Sequence, residues 1–137
     1  KKMSKSDPSD LSRINLTDNK DEIINKIKKA KTDTEPLPDN EKDLFKRPEA
    51  KNLLGIYSSL KNQALQKSIN EFGGKNFSEF KKNLSDLVVE KISPISNEIN
   101  KLKKDNDFID DVLRDGAAKA DVISSKKVEE MKKIIGF

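Results

Sequence analysis

Lys2-Met3-Ser4-Lys5-Ser6 places two ammonium groups three residues apart, with hydroxyls between them, on a polar segment. A loop of that make-up can fold over a triphosphate. Its lysines would then neutralise charge on the phosphate oxygens as pyrophosphate leaves, which is electrostatic stabilisation of a transition state. Lysine suits a loop that opens and closes, because it acts as a mobile point charge where arginine would impose a rigid fork. Met3 reads as an apolar tether that would dock the loop on the rest of the protein. In a chain this rich in Lys and Ser the same five residues also fit an ordinary basic segment.

A second set of cations falls late in the chain. Lys101, Lys103 and Lys104 cluster where a turn is expected, and Arg114 and Lys119 stand on either side of Gly116. Such groups can hold nucleic-acid phosphates, and a glycine between them could admit a close backbone approach. Each lysine has the plainer reading of a solvated helical charge. Stacking on bases has little to draw on, with six Phe, one Tyr and no Trp. Most of the Phe fall on apolar stripes, and Tyr57 reads as a core residue whose hydroxyl reaches the edge. Phe137 stays open between packing and stacking.

The elements that must position these residues are helical. Residues 1–11 read as a loop, and Ile14 and Leu16 alternate with polar neighbours in a short extended stretch. Asp18 has the chemistry of an N-cap, and Ile23, Ile24, Ile27 and Ala30 give an apolar face to a helix over about Lys20 to Lys31. The stretch from Thr32 to Lys46, with Pro36 and Pro38, reads as a surface connection. Pro48 suits a first helical turn ahead of Leu53, Leu54, Ile56, Tyr57 and Leu60. After a break near Asn62, Leu65, Ile69 and Phe72 mark a short helix that Gly73 and Gly74 end, as a left-handed C-cap would.

The best periodicity follows. From Asn76, with Glu79 in capping-box position, Phe77, Phe80, Leu84, Leu87, Val88, Ile92, Ile95, Ile99 and Leu102 recur at spacings of three and four. Pro94 should bend this helix without ending it, since the pattern continues in phase. A turn over Lys104 to Asp107 leads to a last helix from Phe108 to Ile135. Its apolar stripe is Val112, Leu113, Ala117, Ala120, Ile123, Val128, Met131 and Ile135, with Gly116 as a kink or close-packing point. No βαβ alternation or internal repeat is visible. The fold class is therefore all-α: a bundle of about five helices preceded by an extended loop.

Composition agrees and excludes much. The chain has 137 residues, a net charge of +4 and a pI near 9.1, with acidic and basic residues interleaved. That balance permits an RNA partner and equally fits a solvated helical surface. With no Cys and no His, there is no disulfide framework, thiolate metal site or histidine base. No apolar run approaches the roughly 20 residues of a membrane span, so the expectation is a cytoplasmic protein with no membrane partner.

The motif keeps ordered company. Asp7-Pro8 follows it, then Ile14-Asn15-Leu16-Thr17-Asp18, Thr32-Asp33, Arg47-Pro48-Glu49-Ala50, Asn52-Leu53-Leu54 and Ile56-Tyr57. Phe72-Gly73-Gly74-Lys75, Phe80-Lys81, Val88-Val89-Glu90, Pro94-Ile95 and Asp115-Gly116-Ala117-Ala118-Lys119-Ala120 complete the series. Over essentially its whole length the chain resembles the C-terminal part of the bacterial tryptophanyl-tRNA synthetases, class I enzymes, from their signature loop onward. Tyrosyl-tRNA synthetases share the loop and the layout. The Asp-Pro and the Arg-Pro-Glu and Asn-Leu-Leu-x-Ile-Tyr segments are closer to the tryptophanyl branch.

The resemblance implies a ligase that activates tryptophan with ATP and Mg and transfers it to the tRNA bearing the tryptophan anticodon. Lys2 and Lys5 would contact the ATP phosphates as catalytic groups, Lys5 nearest the leaving pyrophosphate, and Ser4 and Ser6 would support the loop. Residues 1–18 would be loop and linker, and 19–137 a helical domain receiving the anticodon stem, with Lys101, Lys103, Lys104, Arg114 and Lys119 as candidate tRNA contacts. The family's second signature needs histidine, so its nucleotide-binding sheet is expected to precede Lys1. The 137 residues alone are then expected to hold no ATP or Mg and to be inactive, as a monomer or weak dimer from a parent that is generally a homodimer. The alternatives are a tyrosyl relative and a non-enzymatic helical module for RNA or protein.

Overall fold

The computed structural model describes residues 8–136, and Met3, the loop lysines and Phe137 lie outside them. Six α-helices follow a 3-10 turn at Asp10–Ser12: α1 (Lys20–Lys29), α2 (Glu41–Leu44), α3 (Pro48–Lys61), α4 (Leu65–Phe72), α5 (Phe77–Leu102) and α6 (Asn106–Ile135). Among the described residues there is no strand, so the stretch at Ile14 and Leu16 is irregular backbone. The all-α class holds, and the helix beyond the expected five is the single turn α2. It forms inside what reads as a connection because Asn40 caps it, accepting from the Asp43 N–H at 2.9 Å, and Leu44 is fully buried.

The chain divides into two compact units, the boundary falling between Asn97 and Glu98. The first holds the core. Ile23 and Ile27 of α1, Leu53, Leu54 and Tyr57 of α3, Ile69 and Phe72 of α4 and Phe80, Leu84 and Val88 of α5 are all buried. Three rings centre it: Tyr57 meets Phe72 at 4.9 Å, Phe72 meets Phe80 at 4.9 Å, both edge-on, and Tyr57 meets Phe80 at 6.0 Å. The Tyr57 hydroxyl donates to Glu71 at 3.0 Å, as its amphipathic character anticipated. Burial first, and then the neighbouring Glu71, push the phenol up to about 12.

Side chains close the irregular stretches. Arg47, the N-cap residue of α3, donates from Nε to Asp33 at 2.9 Å and from its terminal nitrogens to Asp33, to Glu35 O at 3.0 Å and to Pro36 O at 2.5 Å. Its guanidinium also stands 5.5 Å from the centre of the Phe77 ring. Lys81 of α5 donates to the Ala30 carbonyl at 2.6 Å, at the C-terminal end of α1 where cations are favoured. Beyond α4, Leu37 and the glycines pair through backbone: Leu37 N–H to Lys75 O at 2.9 Å and Gly74 N–H to Leu37 O at 2.8 Å.

Local details depart from the sequence expectations. The N-cap of α1 is Asn19, whose side chain accepts from Asp21 and Glu22 while Glu22 closes a capping box. Asp18 is one residue too early and is turned inward instead. The left-handed residue after α4 is Gly74, at φ +76°, whereas Gly73 is extended. Gly73 is needed for another reason: a Cβ there would lie 2.7 Å from Asp39 Cα and 2.8 Å from Ile69 O. Helix α5 continues through Pro94 as anticipated.

In the second unit α6 is a continuous helix, capped by Asp105, which accepts from the Phe108 N–H at 3.0 Å. No helix of the described residues is long and apolar enough to cross a membrane. None of the residues of α6 is buried, and Leu113, Ile123, Met131 and Ile135 of the expected stripe are well exposed. A periodic stripe specifies a face that seeks cover, without specifying the cover.

Candidate functional site

The motif Lys2, Met3, Ser4, Lys5 and Ser6 lies outside the described residues, as does Asp7; the chain from Pro8 onward does not. From Ser9 onward that segment is built on short polar contacts. Ser9 caps the 3-10 turn, accepting from the Leu11 N–H at 3.4 Å. Asp10 pairs with Arg13 at 2.7 Å and accepts from Asn15 Nδ2 at 2.9 Å. Asn15 reaches the other way as well, its N–H donating to Asp18 Oδ2 at 2.8 Å and its amide to Asp18 Oδ1 at 3.2 Å. One asparagine thus braces two carboxylates.

At the centre stands Lys26 of α1, on the buried face between Ile23 and Ile27. Its Nζ donates to Asp10 at 2.5 Å and to Asp18 at 2.6 Å. Lys26 and Asp18 are 8% and 6% exposed, whereas Asp10 is 47% exposed. A buried ammonium needs a counter-charge and hydrogen bonds, and this one has both. Burial works to lower its pKa, but the hydrogen bonds and charges of Asp10 and Asp18 together outweigh it and raise the value above that of an ordinary lysine. The hydrogen bond from Lys26, followed by that from Asn15, lowers the Asp10 carboxyl to about 2. Ser96 of α5 completes the frame, its hydroxyl donating to Leu16 O at 2.6 Å and standing 3.2 Å from Asp18 O.

Sequence reasoning missed this cluster, although a signal was present. Position 26 falls at helical spacing on the stripe of Ile23, Ile27 and Ala30, and a lysine on a buried face requires a partner. The partners, eight and sixteen residues upstream, follow no local spacing rule.

The five cations singled out late in the chain all belong to the second unit and are all exposed. Lys101 lies in the last turn of α5 and stands 3.4 Å from Glu98, while Lys103 and Lys104 form the turn into α6. Their position also suits the negative end of the α5 dipole. Arg114 pairs with Asp111 at 3.0 Å and Lys119 with Asp115 at 2.6 Å, each within one turn of α6. Exposed pairs of this kind are weak and screened by salt, so a phosphate can compete for either cation. Gly116 is no kink, since α6 runs unbroken through it, and a Cβ there would meet nothing within 4 Å. Arg114 and Lys119, five residues apart, point about 140° apart around an ideal helix. The turn lysines are therefore brought together, and Arg114 and Lys119 are not.

Among the described residues no group of three or more His, Cys, Asp or Glu side chains is placed to hold a metal ion. The cluster at Lys26 is a neutralised structural knot, with no nucleophile or base free for chemistry.

Comparison with known proteins adds to this geometry. Residues 1–93 match the family described as tRNA synthetases class I (W and Y). Over all 137 residues the chain is 52% identical to a tryptophan–tRNA ligase of Mesorhizobium japonicum, covering 39% of that protein. It is 50% identical to one from Rhizobium meliloti over 39% of its length, and 44% identical to one from Rickettsia felis over 41%. The chain thus spans about two fifths of the length of the curated relatives it matches.

Proposed function

Because the chain belongs to the class I tRNA synthetases of the W and Y group, we propose that it serves as the C-terminal part of a tryptophan–tRNA ligase. The parent enzyme would activate tryptophan with ATP, release pyrophosphate and transfer the amino acid to its tRNA. The observation that carries this reading is the 52% identity to a protein of that name along all 137 residues, motif included.

Within that protein the parts divide the work. Lys2 and Lys5 contact the ATP phosphates, with Ser4 and Ser6 supporting the loop and Mg supplied in the nucleotide site. Residues 1–18 form loop and linker, and residues 19–137 the helical part that receives the anticodon. Lys101, Lys103 and Lys104 hold tRNA phosphates, joined by Arg114 or Lys119. Supporting this are the two-fifths share of the relatives' length that the chain spans and the exposure of all five cations. The 137 residues alone then carry no activation chemistry.

The test is tryptophan-dependent exchange of pyrophosphate into ATP. The full-length enzyme is expected to catalyse it, and Lys5→Ala to reduce kcat by about a hundredfold or more. Exchange with tyrosine in place of tryptophan would assign the chain to the sister branch. Exchange by the 137 residues alone would overturn the division of work.

A further inference from the structure

Three lysines share one cleft of the first unit. Lys28 of α1 and Lys81 and Lys82 of α5 line a hollow of about 570 Å³ between the end of α1 and the first turns of α5. None of the three forms an ion pair among the described residues. Lone lysines on a convex helix are simply solvated, but like charges around a concavity focus their field and draw in anions. Lys81 is half-buried, and burial pushes its pKa below the ordinary lysine value. Its Nζ donates only to carbonyls, Ala30 O at 2.6 Å and Lys28 O at 3.4 Å, so it meets the negative end of α1 and leaves Lys28 and Lys82 surplus to that task. Thr32 and Ser78 line the same cleft, and neither hydroxyl has a hydrogen-bond partner among the described residues.

We propose that this cleft is a tRNA contact in its own right, in which Lys28 and Lys82 hold backbone phosphates beside the fixed charge of Lys81. The inference rests on the functional reading above and adds a surface on the first unit to the cations of the second. Thr32 and Ser78 supply hydroxyl donors to the phosphate oxygens. Exposed Lys29 and Lys31 continue the positive charge past the cleft, which suits a chain of phosphates better than a single one. Lysine, a mobile point charge, tolerates the uneven phosphate spacing of an unpaired loop. Asp86 also lines the cleft and pairs with none of the three lysines. A carboxylate there would repel a free phosphate, whereas RNA brings base N–H groups that it can accept from.

The experiment uses the full-length enzyme and measures tRNA affinity across a salt series, pyrophosphate exchange and Tm. The double variant Lys28→Gln with Lys82→Gln removes two charges that hold nothing in the fold and leaves Lys81 on α1. Its slope of log affinity against log salt should fall by about two. The exchange constants for ATP and tryptophan, and Tm, should stay at wild-type values. Lys67→Gln, the same loss of charge on exposed α4 surface, should leave the slope unchanged. An unchanged slope in the double variant overturns the inference, while wild-type exchange upholds the functional reading. An equal fall in Lys67→Gln overturns it too, as a general effect of net charge. Inorganic phosphate that binds the wild type and not the double variant, with the tRNA slope unchanged, would assign the cleft to a free anion and overturn the RNA contact. A wild-type enzyme with neither tryptophan-dependent exchange nor tRNA binding removes the functional reading and the inference together.

Discussion

Lys26 Nζ lies 2.6 Å from Asp18 Oδ2, with both side chains more than nine-tenths buried. Such a pair is asymmetric, since deleting one member strands the other charge inside the protein. Lys26→Met leaves Asp18 without its cation and is expected to destabilise the 137-residue chain by about 3 kcal/mol. Urea unfolding followed by circular dichroism measures it, and a change under 1 kcal/mol would show that the pair is not buried in solution.

Tyr57 gives a second handle, because it is the single tyrosine of the chain. Burial and Glu71 push its phenol up to about 12, against an ordinary value of 10.0. A raised folded-state pKa means that the unfolded chain sheds the proton first. The stabilisation is complete below about pH 10 and is lost as pH rises toward 12. Phenolate absorbance should therefore rise together with alkaline unfolding, and Tyr57→Phe should flatten stability over that window. A midpoint near 10 in the folded chain would contradict the packing.

Two glycines predict opposite signs. Gly73→Ala drives a Cβ to 2.7 Å from Asp39 Cα, backbone that cannot step aside, and should cost about 2 kcal/mol. At Gly55, inside α3, a Cβ meets nothing within 4 Å, and Gly55→Ala should add roughly 0.5–1 kcal/mol through helix propensity. Thermal unfolding of both variants decides the matter.

For tRNA, Lys103→Gln and Lys104→Gln should weaken binding alike for matched and unrelated tRNAs. Each should reduce the slope of log affinity against log salt by about one, as a lost phosphate contact does. An unchanged slope in the double variant would assign both lysines to the solvated end of α5.

Periodicity made most of this fold legible. Phe77, Phe80, Leu84 and Val88 lie on the buried face that their spacing demands, and α5 keeps its phase through Pro94. Helix α2 was hidden because four residues carry no period, and Leu44 is buried for tertiary reasons. Asp18 misled because capping residues and buried counter-ions share one chemistry, and Asn19 beside it takes the cap. The cation pair around Gly116 misled differently, because nearness in sequence is not nearness around a helix. At Lys26 the stripe showed that a partner was needed, but Asp10 and Asp18, sixteen and eight residues upstream, follow no helical spacing.

Arg47 joins Asp33, Glu35 and Pro36 to the start of α3, across a connection in which α2 is the one helical turn. Chemically this is a reversible cross-link, and it removes backbone freedom as a covalent one would. Residues 33–47 and the first turn of α3 should then open together, so that amide hydrogen exchange divides the molecule along the reach of one guanidinium instead of along its helices. Lysine in that place would keep the charge and lose the fork, and the connection would breathe on its own.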